Sequence, residues 1–374
     1  MESLFFELLK VARGQQYILS YTPTAEQWQE LYAIAEKQAV LGICFHGVEL
    51  LHKRKQTPPQ ELLFEWIGVS EQIKKQNLLA YKRSAEITKM FADAGFKSCI
   101  LKGQGNALMY NETYSRTSGD IDIWVSGKRD EITQFVKKWT PGVFEQYHHI
   151  DYPIFKDIPV EVHYTPGKLL SPMCNRRFQK FCKEQMARQM SHKVELPDGL
   201  GEISVPTTSF NVVFQMSHIM NHFFIEGIGL RHFVDYFYVL KKYRDDYIET
   251  GCGFDENDVI GLFKDLGLFR FAKGVMWIEK ECLGLEDKYL LVGPDERRGR
   301  VILKEMLEGG NFGHHDNRYK SRNKGYIARG ATDIYRLIKL ASVFPSASFW
   351  KIYRKIENQR WKMKNGNYYV QTLF

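Results

Sequence analysis

Residues 115–125 read SRTSGDIDIWV, a β-type apolar run that carries two aspartates, Asp120 and Asp122, one residue apart. In a strand, side chains two apart share a face, so both carboxylates look the same way. Ile121, Ile123 and Val125 fall on the other face and are expected to pack on a core, leaving the aspartates at a solvated edge. Two carboxylates held that close repel one another unless a cation neutralises them. A divalent metal, Mg²⁺ or Mn²⁺, is the natural partner.

A third acid lies downstream in IPVEVHY, where alternation puts Glu161 and His163 on one face and Val160, Val162 and Tyr164 on the other. A carboxylate on a strand beside the Asp-x-Asp strand completes a cage of hard oxygen donors. Two such ions about 3.5–4 Å apart hold a triphosphate, lower the pKa of an attacking hydroxyl and neutralise the departing pyrophosphate. That division of labour is nucleotidyl transfer.

The surrounding pattern predicts an α+β chain with a small mixed-sheet core between two helical lobes. Residues 1–92 read as helical: Thr24 and Gln27 have capping-box spacing ahead of Trp28, Leu31, Tyr32 and Ala35, and a second helix is expected from Glu71 to Ala94. Residues 93–165 form the core. FKSCILKG is a strand ending in Lys102-Gly103, NALMYN continues as a helix, and a charged helix spans about Lys128 to Trp139. FEQYHHI, DYPIFK and IPVEVHY follow as β-runs, the last two joined as a hairpin at Lys156-Asp157. Residues 166–374 return to helix, apart from a β-like piece near HKVELPDGLGEISV.

No apolar run approaches the ~18 residues of a membrane span, and Glu2 and Glu7 interrupt the apolar amino terminus, which does not read as a signal peptide. The six cysteines are scattered without a Cys-x-x-Cys pair, which points to reduced thiols and a cytoplasmic protein. The net charge of +8 is uneven. Residues 318–364 hold thirteen Lys or Arg against Asp333 and Glu357, a net +11 that leaves the remainder at −3. Tyr335, Trp350, Tyr353 and Trp361 are interleaved with this charge, a mixture that suits RNA, and equally a set of amphipathic helices closing a lobe.

His218 and His222 stand four apart on one face of an expected helix, where they could clasp a transition metal, line a cleft or simply pack. Arg231 and Asp235, also four apart, read as a helical ion pair. His163 points with Glu161 as a second cleft-lining candidate. The pairs His148-His149 and His314-His315 have no evident partner.

The order ILKG, helix, SGDIDIWV, helix, VEVH resembles the nucleotidyltransferase superfamily with the DNA polymerase β-like palm, and more narrowly a family of uncharacterised bacterial nucleotidyltransferase-like proteins. AEKQAVLGICFHGVELL and HIMNHFFIEGIGLRHFVDYFYVL extend the resemblance over about residues 25–245. It implies that Asp120, Asp122 and Glu161 bind metal and carry catalysis, and that Lys102 and Gly103, in the turn after the first strand, meet the phosphates of a nucleoside triphosphate, with ATP the default donor. The superfamily's turn is usually Gly-Ser or Gly-Gly. Gly103-Gln104 departs from it, which brings Arg116 and Ser118 forward beside Gln104 as phosphate contacts. A small-molecule hydroxyl is the first expectation for the acceptor and RNA the second. A palm that survives only as a nucleotide-binding or scaffold module is the competing reading.

Overall fold

Alternation of apolar residues builds a four-stranded mixed sheet, in the order β1-β2-β4-β3, from Lys97–Leu101 (β1), Ile121–Ser126 (β2), His149–Asp151 (β3) and Val160–His163 (β4). The computed structural model describes residues 1–143, 145–311 and 326–365. β2 runs antiparallel to β1 and parallel to β4, and β3 returns antiparallel to β4. Four helices precede the sheet: Glu2–Ala12 (α1), Ala25–Lys37 (α2), Leu41–His52 (α3) and Gln60–Asp93 (α4). Gly103–Ala107 (α5) and Arg129–Trp139 (α6) lie within it. After it come Pro172–Ser191 (α7), Thr208–Ile225 (α8), Arg231–Thr250 (α9), Glu256–Asp265 (α10), Phe269–Trp277 (α11), Glu296–Gly309 (α12), Tyr326–Ala341 (α13) and Pro345–Asn365 (α14). A two-stranded hairpin of Lys193–Glu195 and Glu202–Ser204 occupies the β-like piece expected there.

The Thr24–Gln27 capping box is formed in full. Three expectations differ. The second helix begins eleven residues before Glu71, at Gln60, because nothing in that stretch breaks it. The helix after Lys102 is one turn, and Leu108 to Asn111 already turn away. The β-hairpin pairs β3 with β4, so Tyr152 to Pro159 form its connection and DYPIFK is not a strand. His314-His315 and the tail up to Lys324 lie outside the described residues.

The sheet is covered on both sides, so of the two aspartates that alternation placed at a solvated edge Asp120 is exposed and Asp122 is buried. Ile121, Ile123, Val125, Val160 and Val162 pack with Ile87 and Phe91 of α4 and Ile132 and Val136 of α6. On the opposite face Trp124 lies beneath α8, its ring stacked at 6.0 Å on Phe210. Asp122, two residues before Trp124, is therefore 5% exposed. The helices before and after the sheet share one hydrophobic core, in which Phe5 and Leu9 of α1 and Trp66 of α4 join Phe223, Val234, Ile302 and Phe344.

Two devices hold the loop that leads into β2. Gly42 of α3 lets the Ser115 carbonyl approach so closely that a methyl group there would collide with it. Arg116 forms a buried bidentate ion pair with Asp235 of α9, Nε to Oδ1 at 2.8 Å and Nη2 to Oδ2 at 2.9 Å, and the Tyr110 hydroxyl donates to the same Oδ1 at 2.7 Å. Removing one member of a buried pair strands the other charge. Asp235→Ala should therefore lower unfolding stability by about 3–5 kcal/mol in chemical denaturation.

Glu279 is wholly buried, and neither carboxyl oxygen has a hydrogen-bond partner among the described residues. Burial pushes its pKa well above the ordinary carboxylate value, against a smaller opposing pull from Arg13. A carboxyl with a raised folded-state pKa binds more protons folded than unfolded, so its contribution is intact below the unfolded pKa and is lost as pH rises toward the folded one. Glu279→Gln should match the wild-type melting temperature at about pH 4 and exceed it increasingly toward about pH 8. A constant difference across that range would contradict the assignment.

Candidate active site

The parallel register sets Asp122 directly beside Glu161, and β3 adds Asp151 opposite Glu161, so three acids run across one end of the sheet. Asp120 sits one residue ahead of β2 and is exposed to the cleft. This edge is balanced by two protein cations. Lys102 Nζ lies 2.9 Å from Asp122 Oδ2, and His163 Nε2 lies 2.8 Å from Asp122 Oδ1 and 3.4 Å from Glu161 Oε2.

The electrostatics follow from that packing. Burial works against the charge on Asp122, but Lys102 and His163 hold its carboxyl well below the usual range. Burial likewise opposes charge on His163, yet the two carboxylates carry its imidazolium pKa up to about 9. Asp120 is pushed the other way, chiefly by the charge of Asp122. The exposed aspartate is thus the group left short of positive charge.

Lys102 reaches the acids from a turn with consecutive left-handed φ values of 51° at Lys102 and 35° at Gly103. A lysine in that region is strained, and such strain persists where the surroundings fix it. Here the ion pair with Asp122 supplies that fixing. The five-residue α5 that follows is too short to offer more than a weak terminal dipole to a phosphate.

The structure separates the other candidates. His163, His218 and His222 line one cleft of about 640 Å³ together with Lys102, Gly103 and the carboxylates. Gln104 does not: its side chain is buried and its Nε2 donates to Asn77 Oδ1 at 3.3 Å, while Asn77 Nδ2 donates to the Tyr114 and Arg116 carbonyls at 3.0 and 2.5 Å. The unusual Gly-Gln turn thus braces the aspartate loop rather than offering a phosphate ligand. Arg116 borders the cleft with its charge committed to Asp235, and the Ser118 hydroxyl is buried without a partner among the described residues.

Several lining residues gave no usable signal in the sequence. Arg231, expected to pair with Asp235, instead sends Nη1 to the Thr117 carbonyl at 3.0 Å and lies near Asp120. As the first residue of α9 it leans back off the helix start, as helical side chains do. His148 and His149 sit 3.2 Å apart through Nε2 and Nδ1, and His149 Nδ1 lies 3.4 Å from Glu161 Oε2. His148 lies just before β3, and adjacent positions carry no shared-face signal, which hid this cluster. Lys168, pushed down to about 8 by burial and by Lys351, completes the wall with Lys351, Arg354 and Lys355 of α14.

The donor set suits a hard divalent cation. Mg²⁺ is held by one or two carboxylates, with substrate phosphates and water completing its shell. Asp120 and Glu161 line the cleft, while Asp122 is anchored by Lys102.

A solved crystal structure, of an antigenic nucleotidyltransferase-like protein from Paracoccidioides brasiliensis, is similar over 46% of this chain and 77% of that chain, at 12% identity and a TM-score of 0.30. No curated protein matches the chain. The model of a family described as uncharacterised nucleotidyltransferases matches residues 24–284, well over half the chain. With the acidic edge, the lysine turn and the histidine-lined cleft inside that span, the chain belongs to this family and is a nucleotidyltransferase.

Proposed function

We propose that the protein transfers a nucleoside monophosphate from a nucleoside triphosphate, with ATP the default donor, to a hydroxyl group of a small-molecule acceptor, and that the reaction depends on Mg²⁺ or Mn²⁺. The observation that carries this reading is the in-register pairing of Asp122 with Glu161, with Asp120 left exposed and short of positive charge beside them.

Asp120, Asp122 and Glu161 would hold the metal. Bound there, it supplies charge neutralisation for the triphosphate and lowers the pKa of the acceptor hydroxyl. The acceptor oxygen attacks the α-phosphorus, its bond to the pyrophosphate bridging oxygen breaks, and the half-buried Glu161 is placed to take the hydroxyl proton. Lys102 and Arg231 supply fixed positive charge at the carboxylate edge, where the triphosphate would lie. Proton release to bulk water completes the balance.

A cleft of about 640 Å³ falls within the roughly 300–1,000 Å³ of small-ligand sites. The basic tail favours the same acceptor class. Leu337 and Leu340 of α13 and Val343 and Phe344 beyond it are buried in the core, and Arg354 Nε donates to the Leu170 carbonyl at 3.3 Å, so this part of the tail closes the cleft. The free thiols suit a reducing compartment, and we place the protein in the cytoplasm. No helix among the described residues is long and apolar enough to cross a membrane.

Asp120→Asn and Asp122→Asn should each lower turnover with labelled triphosphates by on the order of 10²-fold or more. Their stabilities should diverge. Asp120→Asn relieves repulsion and should melt at or above wild type in a chelator, whereas Asp122→Asn leaves Lys102 and His163 unbalanced and should melt lower. Full turnover in both variants would remove the catalytic assignment.

Mg²⁺ and ATP together should raise the melting temperature by more than the sum of their separate effects, because phosphate oxygens complete the metal's shell. An unchanged melting curve with all common triphosphates at millimolar concentration would favour a scaffold role instead.

A further inference from the structure

The cleft holds a second group of potential ligands that the acidic edge does not use. His218 and His222 lie four residues apart on α8, and His232, the second residue of α9, comes back against them across the turn between the helices. The ring centroids are 4.2 Å apart for His218 and His222, 5.5 Å for His218 and His232, and 5.4 Å for His222 and His232. One ring nitrogen from each lies within 4.8 Å of the others, and all three residues line the cleft.

Packing alone would leave the orientation of such rings arbitrary. Here two of them have a polar neighbour at Nδ1. His222 Nδ1 lies 3.0 Å from Glu226 Oε2, one helical turn on, and His232 Nδ1 donates to the Gly229 carbonyl at 3.4 Å. A carboxylate or carbonyl on one ring nitrogen is the arrangement that fixes the ring of a metal-binding histidine. The other three-histidine group in the cleft, His148, His149 and His163, differs, since His163 and His149 already contact the catalytic carboxylates.

We propose that His218, His222 and His232 form a binding site for a borderline divalent cation of the Zn²⁺ class, distinct from the carboxylate edge. Imidazole nitrogen suits Zn²⁺, where Mg²⁺ requires oxygen. The metal site stands independently of the transferase reading, and its test uses no activity measurement.

The tag-free full-length protein, stripped with a chelator, is titrated with Co²⁺ as an optical probe. The expected result is one equivalent bound with visible absorption bands of a four- or five-coordinate ion, displaced by Zn²⁺. His222→Ala, at a half-buried position, should abolish the bands with an unchanged circular dichroism spectrum, whereas His149→Ala should retain them. Glu226→Gln, at an exposed position, should weaken affinity roughly 10- to 100-fold by releasing the His222 ring. Absence of bands from wild type at saturating Co²⁺ would overturn the proposal. So would bands that persist in His222→Ala or disappear only in His149→Ala. Should His222→Ala not fold, wild-type stoichiometry and the Glu226→Gln affinity decide the question.

Discussion

The placement of Asp122 governs the rest of the molecule. A carboxylate almost closed off from water is costly unless it is paired and hydrogen-bonded. The fold meets that cost by bringing Lys102 from the end of β1 and His163 from the end of β4 to its two oxygens. The strand order places β2 between β1 and β4, so both cations reach one residue from opposite sides. The strained backbone of Lys102 and the high proton affinity of His163 are consequences of this one contact.

Around that centre the supports are drawn from distant parts of the chain. Asn77 of α4 and Gln104 of α5 brace the carbonyls ahead of β2, while Asp235 of α9 grips Arg116 in the same loop. The aspartates are therefore positioned by helices from before and after the sheet. A loop held from both sides can keep two acids in a repulsive arrangement that a free loop would relax.

Much of the acidic edge was legible because a strand's side-chain period is two. Asp120 with Asp122, and Glu161 with His163, could each be assigned to one face from spacing alone. Burial of that face was not legible, since the covering residue, Phe210 on Trp124, comes from a helix more than eighty positions away. The same limit explains Arg231 and Asp235: spacing of four suggested a mutual pair, and only the tertiary arrangement shows that Asp235 serves Arg116. Gln104 was misread because a motif position carried the expectation, while the chemistry of its neighbour Asn77 decided where the side chain went. His232 and Lys168 lay outside any periodic pattern that singled them out.

The shared core of the flanking helices bears on how the chain acquires its structure. Arg13 at the end of α1 donates to the Leu283 carbonyl and Gln38, after α2, to that of Met306, whereas α4, the sheet and α6 bury one another over a much shorter stretch. Contacts of such long separation form late, because the entropy of closing the intervening loop must be overcome first. During synthesis α1 to α3, which pack on one another, emerge well before α8 to α12 and leave the rest of their apolar surface uncovered until those helices arrive. The sheet with α4 and α6 is the unit able to organise first, so the platform for the acidic edge precedes the walls of the cleft that will enclose it.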